Sequence, residues 1–154
     1  MIPEDSEVNF RLVEYGSRAY REAIQLREAV LRRPLGLAYT QADLAAEADQ
    51  LHFVGFMNGE PVACAVLQWI APGIAKMRQV AVKPTLQKQG LGSRLVKAFE
   101  EEARRREADK IMLHARQTAV AFYLRLDYEL IGDPFEEIGI PHRQMCKSLH
   151  FSKN

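Results

Sequence analysis

Residues 77–93 read M-R-Q-V-A-V-K-P-T-L-Q-K-Q-G-L-G-S and carry most of the information about the fold. A strand runs here into a loop with two glycines, and the loop opens an amphipathic helix. Such a junction leaves several backbone N–H groups without intrahelical partners, and the positive end of the helix dipole adds to their potential. The stretch therefore predicts a site for a phosphate or pyrophosphate group.

The two glycines, Gly90 and Gly92, lack Cβ atoms, so that backbone and ligand can approach each other closely. Lys88 and Arg94 would add positive charge at the rim of the loop. The alternative interpretation is that the glycines only permit a tight turn before the helix. The stretch matches neither G-x-G-x-x-G nor G-x-x-x-x-G-K-S/T, so the fingerprints of dinucleotide-binding and P-loop proteins are absent.

The flanking sequence predicts further strands and helices on both sides of this stretch. The predicted strands cover residues 8–13, 51–57, 61–70, 74–82, 110–115, 128–131 and part of 142–149. The predicted helices cover residues 18–33, 41–48, 90–107 and 118–126, with Ser17 and Thr40 as N-caps and Pro34 as the end of the first helix. Asn58-Gly59 predicts a hairpin turn, and turns are also expected at 71–73 and 132–134. This order of elements indicates an α/β or α+β domain with a mixed sheet.

Composition limits the class of protein further. The chain has 154 residues, a mass of 17.5 kDa and a net charge of +1, so that residues 1–154 are expected to form one domain. The balanced charge lacks the basic field that nucleic-acid binding requires. Two cysteines, Cys64 and Cys146, rule out a disulfide framework and are expected to be small buried residues. The acidic N-terminus and the absence of a long apolar run predict a cytoplasmic protein without membrane segments. The two cysteines also exclude a CxxC metal motif, and no metal is expected.

Two motifs resemble those of the GCN5-related N-acetyltransferases (GNAT). Q-K-Q-G-L-G at 87–92 matches the family loop Q/R-x-x-G-x-G/A, and V-A-V-K-P at 80–84 resembles its central strand. A-V-A-F-Y-L-R-L-D-Y at 119–128 resembles the family segment A-x-x-L/F-Y-x-x-x-G-F/Y. The motifs stand in the family's order, and the resemblance covers residues 8–149. Within the family the chain resembles a branch of predicted acetyltransferases with unassigned substrates.

The resemblance implies a fold and a co-substrate. The fold would be α/β (α+β), with a mixed, mostly antiparallel central sheet flanked by helices and splayed between the fourth and fifth strands. The co-substrate would be acetyl-CoA, with its pyrophosphate on the loop amides and its pantetheine arm paired with the central strand. The N–H of Val80 would polarise the thioester carbonyl. The implied CoA-binding residues are Val80, Ala81, Val82, Gln87, Lys88, Gln89, Gly90, Leu91, Gly92 and Ser93.

The resemblance also implies a reaction, the transfer of an acetyl group to a primary amine by direct attack through a tetrahedral intermediate. Tyr123 stands where many relatives place a general acid for the departing thiolate, and the resemblance favours this role over the alternative of a core aromatic residue. The general base stays unassigned, because Lys76 and Arg78 occupy the strand positions where relatives carry Glu or His. The candidate bases elsewhere are His114, Glu136, Glu137 and His142, and three of these, His114, Glu137 and His142, are also candidate substrate contacts.

Two other residues depart from the family pattern. Asp127 replaces a glycine, but Asp tolerates left-handed backbone, so the family's turn is expected to survive. Arg116 replaces an asparagine that touches the CoA arm in relatives, so that contact is not expected here. The acceptor is expected to be a small-molecule or protein amine, recognised by the first helix, its loop and the C-terminal strands. The charged residues there, which a solvated helix face also explains, are Arg27, Glu28, Arg32, Arg33, Glu47 and His52. The alternative function is a non-catalytic acyl-CoA-binding module. Many relatives form homodimers.

Overall fold

The computed structural model describes residues 7–149, and these residues fall into two compact units. The first unit contains residues 7–68 and 79–99, and the second contains residues 69–78 and 100–149. The acidic stretch at 1–6, on which the prediction about the N-terminus rests, lies outside the described residues. The expectation of one domain over 1–154 stays a prediction.

Seven strands and four α-helices make up the described chain. The strands are β1 (Asn9–Val13), β2 (Leu51–Met57), β3 (Glu60–Ala71), β4 (Ile74–Val82), β5 (Lys110–Arg116), β6 (Glu129–Glu137) and β7 (Ile140–Ser148). The helices are α1 (Arg18–Arg27), α2 (Gln41–Ala45), α3 (Leu91–Arg105) and α4 (Val120–Arg125). The strand order is β1-β2-β3-β4 in the first unit and β4-β5-β7-β6 in the second. The β4–β5 pair is parallel, whereas β1–β2, β2–β3, β5–β7 and β6–β7 are antiparallel. The predicted fold class, mixed and mostly antiparallel with flanking helices, is confirmed.

Strand β4 pairs with β5 over only part of its length. The register runs from Ile74↔Lys110 to Met77↔Leu113 and ends there, although β4 continues to Val82 and β5 to Arg116. Two residues later, Gln79 leaves the extended conformation, with φ at +54°. The pairing with β5 therefore covers only the first part of β4, as the predicted opening between the fourth and fifth strands requires.

The first helix differs from its prediction at its C-terminal end. Ser17 caps α1 as expected, because its side chain accepts a hydrogen bond from the N–H of Tyr20. The α-helix ends at Arg27 and continues as a π-helical turn (Glu28–Arg32) and a 3₁₀ turn (Arg33–Leu35). Pro34 therefore does not stop the helix, but lies in the first turn of the 3₁₀ segment, where its missing N–H costs nothing.

Local signals place the next elements of the first unit as expected. Thr40 and Asp43 form a capping box at the start of α2, although the helix ends at Ala45 and not at 48. Asn58 and Gly59 both adopt positive φ, at +52° and +79°, as a type I′ hairpin turn between β2 and β3 requires. Helix α3 buries Leu91, Leu95 and Val96 completely, and these residues anchor the end of the glycine loop.

The first unit contains a buried ion pair that the sequence did not reveal. Arg27 and Glu47 are 2% and 3% exposed, and their side chains form two hydrogen bonds of 2.7 and 2.9 Å. Burial by itself lowers the pKa of Arg27, but the hydrogen bond and the charges around it raise the net pKa above the ordinary value. Neither residue belongs to a solvated helix face or is available to an acceptor, so both interpretations given for them above are wrong.

The second unit corrects two further expectations. The predicted turn at 132–134 lies inside β6, where the register with β7 shifts between Ile131 and Phe135. Strand β6 is the last in its sheet order, and an edge strand with a bulge tolerates a proline such as Pro134. Cys146 is only half-buried, whereas burial raises the pKa of the Cys64 thiol to about 12. Within residues 7–149, no helix is long and apolar enough to cross a membrane.

Glu47→Ala should lower the free energy of unfolding by about 3–5 kcal/mol, because it leaves the Arg27 guanidinium buried without its partner. The double variant Arg27→Met/Glu47→Leu should be markedly more stable than Glu47→Ala alone, since it removes both charges. Urea unfolding measures the difference. Glu22→Ala, which breaks the exposed Arg18–Glu22 pair, is the control and should cost less than about 1 kcal/mol. Equal losses for Glu47→Ala and Glu22→Ala would contradict the expectation.

Candidate active site

Hydrogen bonds from the main chain and from two glutamine side chains hold the glycine loop of the first unit. The N–H of Lys83 donates to the carbonyl of Val62 at 2.8 Å, which fixes the end of β4. Beyond a short 3₁₀ turn (Pro84–Leu86), the side-chain amide of Gln87 donates to the Val82 carbonyl at 3.0 Å. That of Gln89 donates to the Thr85 carbonyl at 3.2 Å. Both glutamine side chains thus support the loop, so that its main chain is the part available to a ligand.

The loop enters α3 through two residues in the left-handed region. Lys88 has φ +64° and Gly90 has φ +85°, and the Gly90 carbonyl accepts the N–H of Arg94 as the first hydrogen bond of the helix. A Cβ atom at Gly90 would meet nothing within 4 Å, so the space beside this backbone is open. The next amides, from Leu91 to Ser93, belong to the first turn, where a helix offers no acceptor of its own. Main-chain donors at the start of a helix are suited to an anionic ligand.

One face of the second unit's sheet collects the polar candidates. Side chains alternate along a strand, so residues in register with His142 share its face. Arg116 of β5 and Phe135 of β6 are in register with His142, and Lys76 of β4 is in register with Met112. The face therefore holds Lys76, Met112, His114, Arg116, Phe135, Glu137, His142 and Gln144. The opposite face carries the buried residues Ile111, Leu113 and Met145.

His114 and Glu137 form a direct pair on this face. Nδ1 of His114 lies 2.9 Å from Oε1 of Glu137, and Phe135 packs edge-on against the imidazole at 4.9 Å. An ionised carboxylate only accepts hydrogen bonds, so Nδ1 of His114 carries a proton and donates it in this contact. The His114 side chain is 23% exposed. The contact with Glu137 therefore fixes the orientation of a partly exposed imidazole.

His142 and Glu136, the other candidate bases, have different surroundings. Nδ1 of His142 donates to the carbonyl of Ile140 at 2.9 Å, and the side chain is only 4% exposed. Its Nε2 lies 3.9 Å from Oε2 of Glu137, too far for a hydrogen bond. Glu136 is next to Glu137 in β6 and so points to the other face of the sheet. The structure thus brings His142 to the pair as a buried neighbour and leaves Glu136 apart from it.

The pKa of Glu137 is lower than that of an ordinary glutamate. Burial alone raises it, but the hydrogen bond from His114 and the charges of His114, His142 and Lys76 outweigh the burial. The pKa of Lys76 is lowered, chiefly because burial disfavours its charge, with Glu137 acting in the opposite direction. Glu137 consequently stays ionised, and able to accept from His114, well into the acidic range.

Tyr123 lies in α4 and is 6% exposed, with its ring against Phe122 at 4.9 Å and Tyr128 at 5.6 Å. Burial raises the pKa of its phenol well above the ordinary value, which keeps the hydroxyl protonated. Its carbonyl accepts the N–H groups of Leu126 and Tyr128. Between them Asp127 has φ +73°, so the expectation that Asp preserves the family's glycine turn is confirmed.

The acceptor-side candidates of the first unit are mostly engaged with one another. Arg27 and Arg32 each place their guanidinium carbon 4.7 Å from the centre of the Tyr39 ring. Nε2 of His52 lies 3.0 Å from the carbonyl oxygen of Glu47, and Arg33 is exposed. Sequence reasoning missed Tyr39, whose hydroxyl donates to Oε1 of Gln79 at 2.6 Å. Among residues 7–149, no group of three or more His, Cys, Asp or Glu is arranged to hold a metal ion.

Comparison with known proteins places these features in a family. A model described as "Acetyltransferase (GNAT) domain" matches residues 35–149. The uncharacterised N-acetyltransferase YjcF of Bacillus subtilis (strain 168) is 27% identical over 129 residues, which cover 82% of this chain and 91% of YjcF. An acyl-CoA N-acyltransferase from Pseudomonas aeruginosa has a similar structure, with a TM-score of 0.79 and 21% identity over 92% of this chain and 99% of that one. A Bacillus subtilis acetyltransferase in complex with CoA is also similar in structure, with a TM-score of 0.71 and 18% identity over 92% of this chain and 99% of that one.

The family model covers more than half of the sequence, so the chain belongs to the GNAT acetyltransferase family. It is therefore an N-acetyltransferase, and proteins of this family transfer acyl groups from CoA to amines. The resemblance stated from the two motifs is confirmed. The roles of individual residues stay predictions.

His114→Ala should raise the pKa of Glu137, because burial persists while the hydrogen bond and charge that lower the pKa are lost. Since the wild-type pKa is lowered, the stability that Glu137 contributes is present above its ordinary value of 4.5 and is lost as the pH falls through the lowered value. The variant should therefore lose this acid-range stability at a higher pH. Carboxyl-carbon NMR titration measures the shift, with Gln144→Ala, a neutral change on the same face, as the control. A Glu137 titration curve that His114→Ala leaves in place would contradict the expectation.

Proposed function

We propose that this protein transfers the acetyl group of acetyl-CoA to a primary amine of a small molecule or a protein, by direct attack of the amine on the thioester. The observation that carries the proposal beyond family membership is the His114–Glu137 pair, with its 2.9 Å contact at Nδ1. It supplies an imidazole, which the β4 positions Lys76 and Arg78 do not, and histidine is the side chain most often used as a general base.

The amine acceptor is protonated at neutral pH and must lose a proton before its nitrogen can attack. Nε2 of His114 takes that proton, directly or through one water molecule. Glu137 holds the imidazole in the tautomer that exposes Nε2, and its negative charge stabilises the imidazolium that forms. His142, buried beside them and hydrogen-bonded to Ile140, supports the position of Glu137.

The co-substrate side of the proposal rests on main-chain groups. The residues proposed to bind acetyl-CoA are Val80, Ala81, Val82, Gln87, Lys88, Gln89, Gly90, Leu91, Gly92 and Ser93. The loop amides and the N-terminus of α3 hold the pyrophosphate, which the open space beside Gly90 supports. The N–H of Val80 donates to the thioester oxygen as negative charge develops on it.

Tyr123 is the proposed general acid. When the tetrahedral intermediate collapses, the C–S bond breaks and the phenol gives its proton to the departing CoA thiolate. Its burial supports this role, because a raised pKa keeps the proton on the oxygen until the thiolate forms. The proposal takes residues 1–154 as a single acyl-CoA-binding domain that works in the cytoplasm.

A screen for thiol release from acetyl-CoA, over amines, polyamines, amino acids and peptides, tests the proposed reaction. With the best acceptor, His114→Ala should lower kcat by a factor of about 10²–10⁴, because the amine loses its base. Glu137→Gln should cause an intermediate loss, since an amide oxygen still accepts from Nδ1 but carries no charge.

Gln144→Ala, in register with His114 and uncharged, is the matched control and should keep full activity. Unchanged kcat in His114→Ala would contradict the assignment of the base. If the wild-type protein binds acetyl-CoA and yet no amine releases thiol from it, the non-catalytic acyl-CoA-binding module becomes the better explanation.

Tyr123→Phe should lower kcat by a factor of about 10²–10³ at every pH while leaving the KM for acetyl-CoA nearly unchanged, because only the proton donor is removed. The ring contacts with Phe122 and Tyr128 should survive in the variant. Steady-state kinetics between about pH 6 and about pH 9 measure the effect. Phe122→Leu, a change in a neighbouring ring, controls for altered packing. Equal kcat values for Tyr123→Phe and the wild type across this range would show that Tyr123 is only a core residue.

A further inference from the structure

A side chain from outside β4 contacts Gln79, the one residue of that strand with a positive φ. Gln79 has φ +54°, a conformation that residues other than glycine rarely adopt. The hydroxyl of Tyr39 donates to Oε1 of Gln79 at 2.6 Å, across 40 residues of sequence. A local turn would not require such a distant partner, and this contact fixes the side chain of the strained residue.

Tyr39 is itself fixed on several sides. The guanidinium groups of Arg27 and Arg32 each lie 4.7 Å from the centre of its ring, and its N–H donates to Oε2 of Glu28 at 3.0 Å. Arg27 is in turn held by the buried carboxylate of Glu47. Because the ring and the backbone of Tyr39 are both restrained, its hydroxyl presents the donor to Gln79 from a single position.

The peptide that follows Gln79 carries the N–H of Val80, which is the donor proposed for the thioester oxygen. Rotation about the Gln79 backbone turns this N–H, so its direction depends on the conformation in which Gln79 is held. A donor assists the reaction only if it already points to where the charge will develop. If the backbone of Gln79 relaxed to the extended conformation, the N–H of Val80 would point in another direction.

We propose that Tyr39 is a positioning residue for acetyl transfer, which acts through Gln79 to direct the N–H of Val80. The inference rests on the proposed function and adds a residue that lies in neither family motif. Tyr39 does not touch the reacting atoms in this scheme. It is held by the Arg27–Glu47 pair, which links the buried ion pair of the first unit to the chemistry.

The test is a cycle of Tyr39→Phe, Gln79→Gly and the double variant. Tyr39→Phe keeps the ring between the two guanidinium groups and removes only the hydroxyl, so kcat should fall about tenfold with the KM for acetyl-CoA within about twofold. Glycine adopts positive φ without strain, so Gln79→Gly should retain much of the activity. In the Gln79→Gly background, Tyr39→Phe should change kcat by less than about twofold, because the contact is already absent.

A second readout needs no turnover. Tyr39→Phe should lower the Tm by about 2–4 °C in the otherwise wild-type protein and by less than about 1 °C in the Gln79→Gly protein. Tyr15→Phe, an exposed tyrosine of the same unit whose ring packs on Tyr20, is the matched control and should leave both Tm and kcat unchanged.

The outcomes separate this inference from the proposed function. An active wild-type protein whose kcat is unaffected by Tyr39→Phe overturns the inference alone. Equal loss of kcat on Tyr39→Phe in the wild-type and Gln79→Gly backgrounds also overturns it, since the effect would not pass through Gln79. A wild-type protein that acetylates no amine overturns the proposed function together with the catalytic role of Tyr39, even where the Tm cycle still reports the contact.

Discussion

The end of the β4–β5 register at Met77 and Leu113 is the constraint on which the rest of the structure depends. A parallel neighbour would otherwise take up the backbone donors and acceptors on the β5 side of β4 along its whole length. Because the register stops, the end of β4 can turn at Gln79 and lead directly into the glycine loop and α3. One continuous stretch of backbone thus provides the donors proposed for the thioester oxygen and for the pyrophosphate. Side-chain identity matters there mainly for shape and support.

The sequence predicts best those features that local chemistry determines. Strand β4 was expected at 74–82 and lies at Ile74–Val82, because a run of strand-forming residues ends shortly before Pro84. Ser17, Thr40 and Asn58-Gly59 each act through a hydrogen bond or a backbone preference within a few residues. The loop motif Q-K-Q-G-L-G at 87–92 likewise lies within six consecutive residues. The prediction of a turn at 132–134 was wrong, because pairing with β7 keeps these residues within β6. A bulge in an edge strand favours the same residue types as a turn.

The contacts on which the proposed chemistry rests are long-range. The sequence identifies the residues involved, but it does not show which of them are in contact. His114 and Glu137 are 23 residues apart, and they meet because β7 lies between β5 and β6. The same limit applies to Arg27 and Glu47. Arg18–Glu22 is the exposed i,i+4 pair that charge spacing predicts, whereas Arg27 turns inward to a partner 20 residues away. Helical spacing places Arg27 on the buried face of α1 with Tyr20 and Ala23, but it cannot identify Glu47 as the partner.

The distribution of charge along α3 explains how a chain of net charge +1 can suit an anionic co-substrate. Helices commonly carry Asp or Glu in the first turn, where these residues offset the positive end of the dipole. The first turn of α3 carries no acidic residue, and its acidic residues begin at Glu100. Those at Glu101 and Glu102 pair with Arg104, Arg105 and Arg106 at the other end. Glu101 and Glu102 thus offset most of the charge of the basic run, while the positive potential of the first turn is left for an anion from outside.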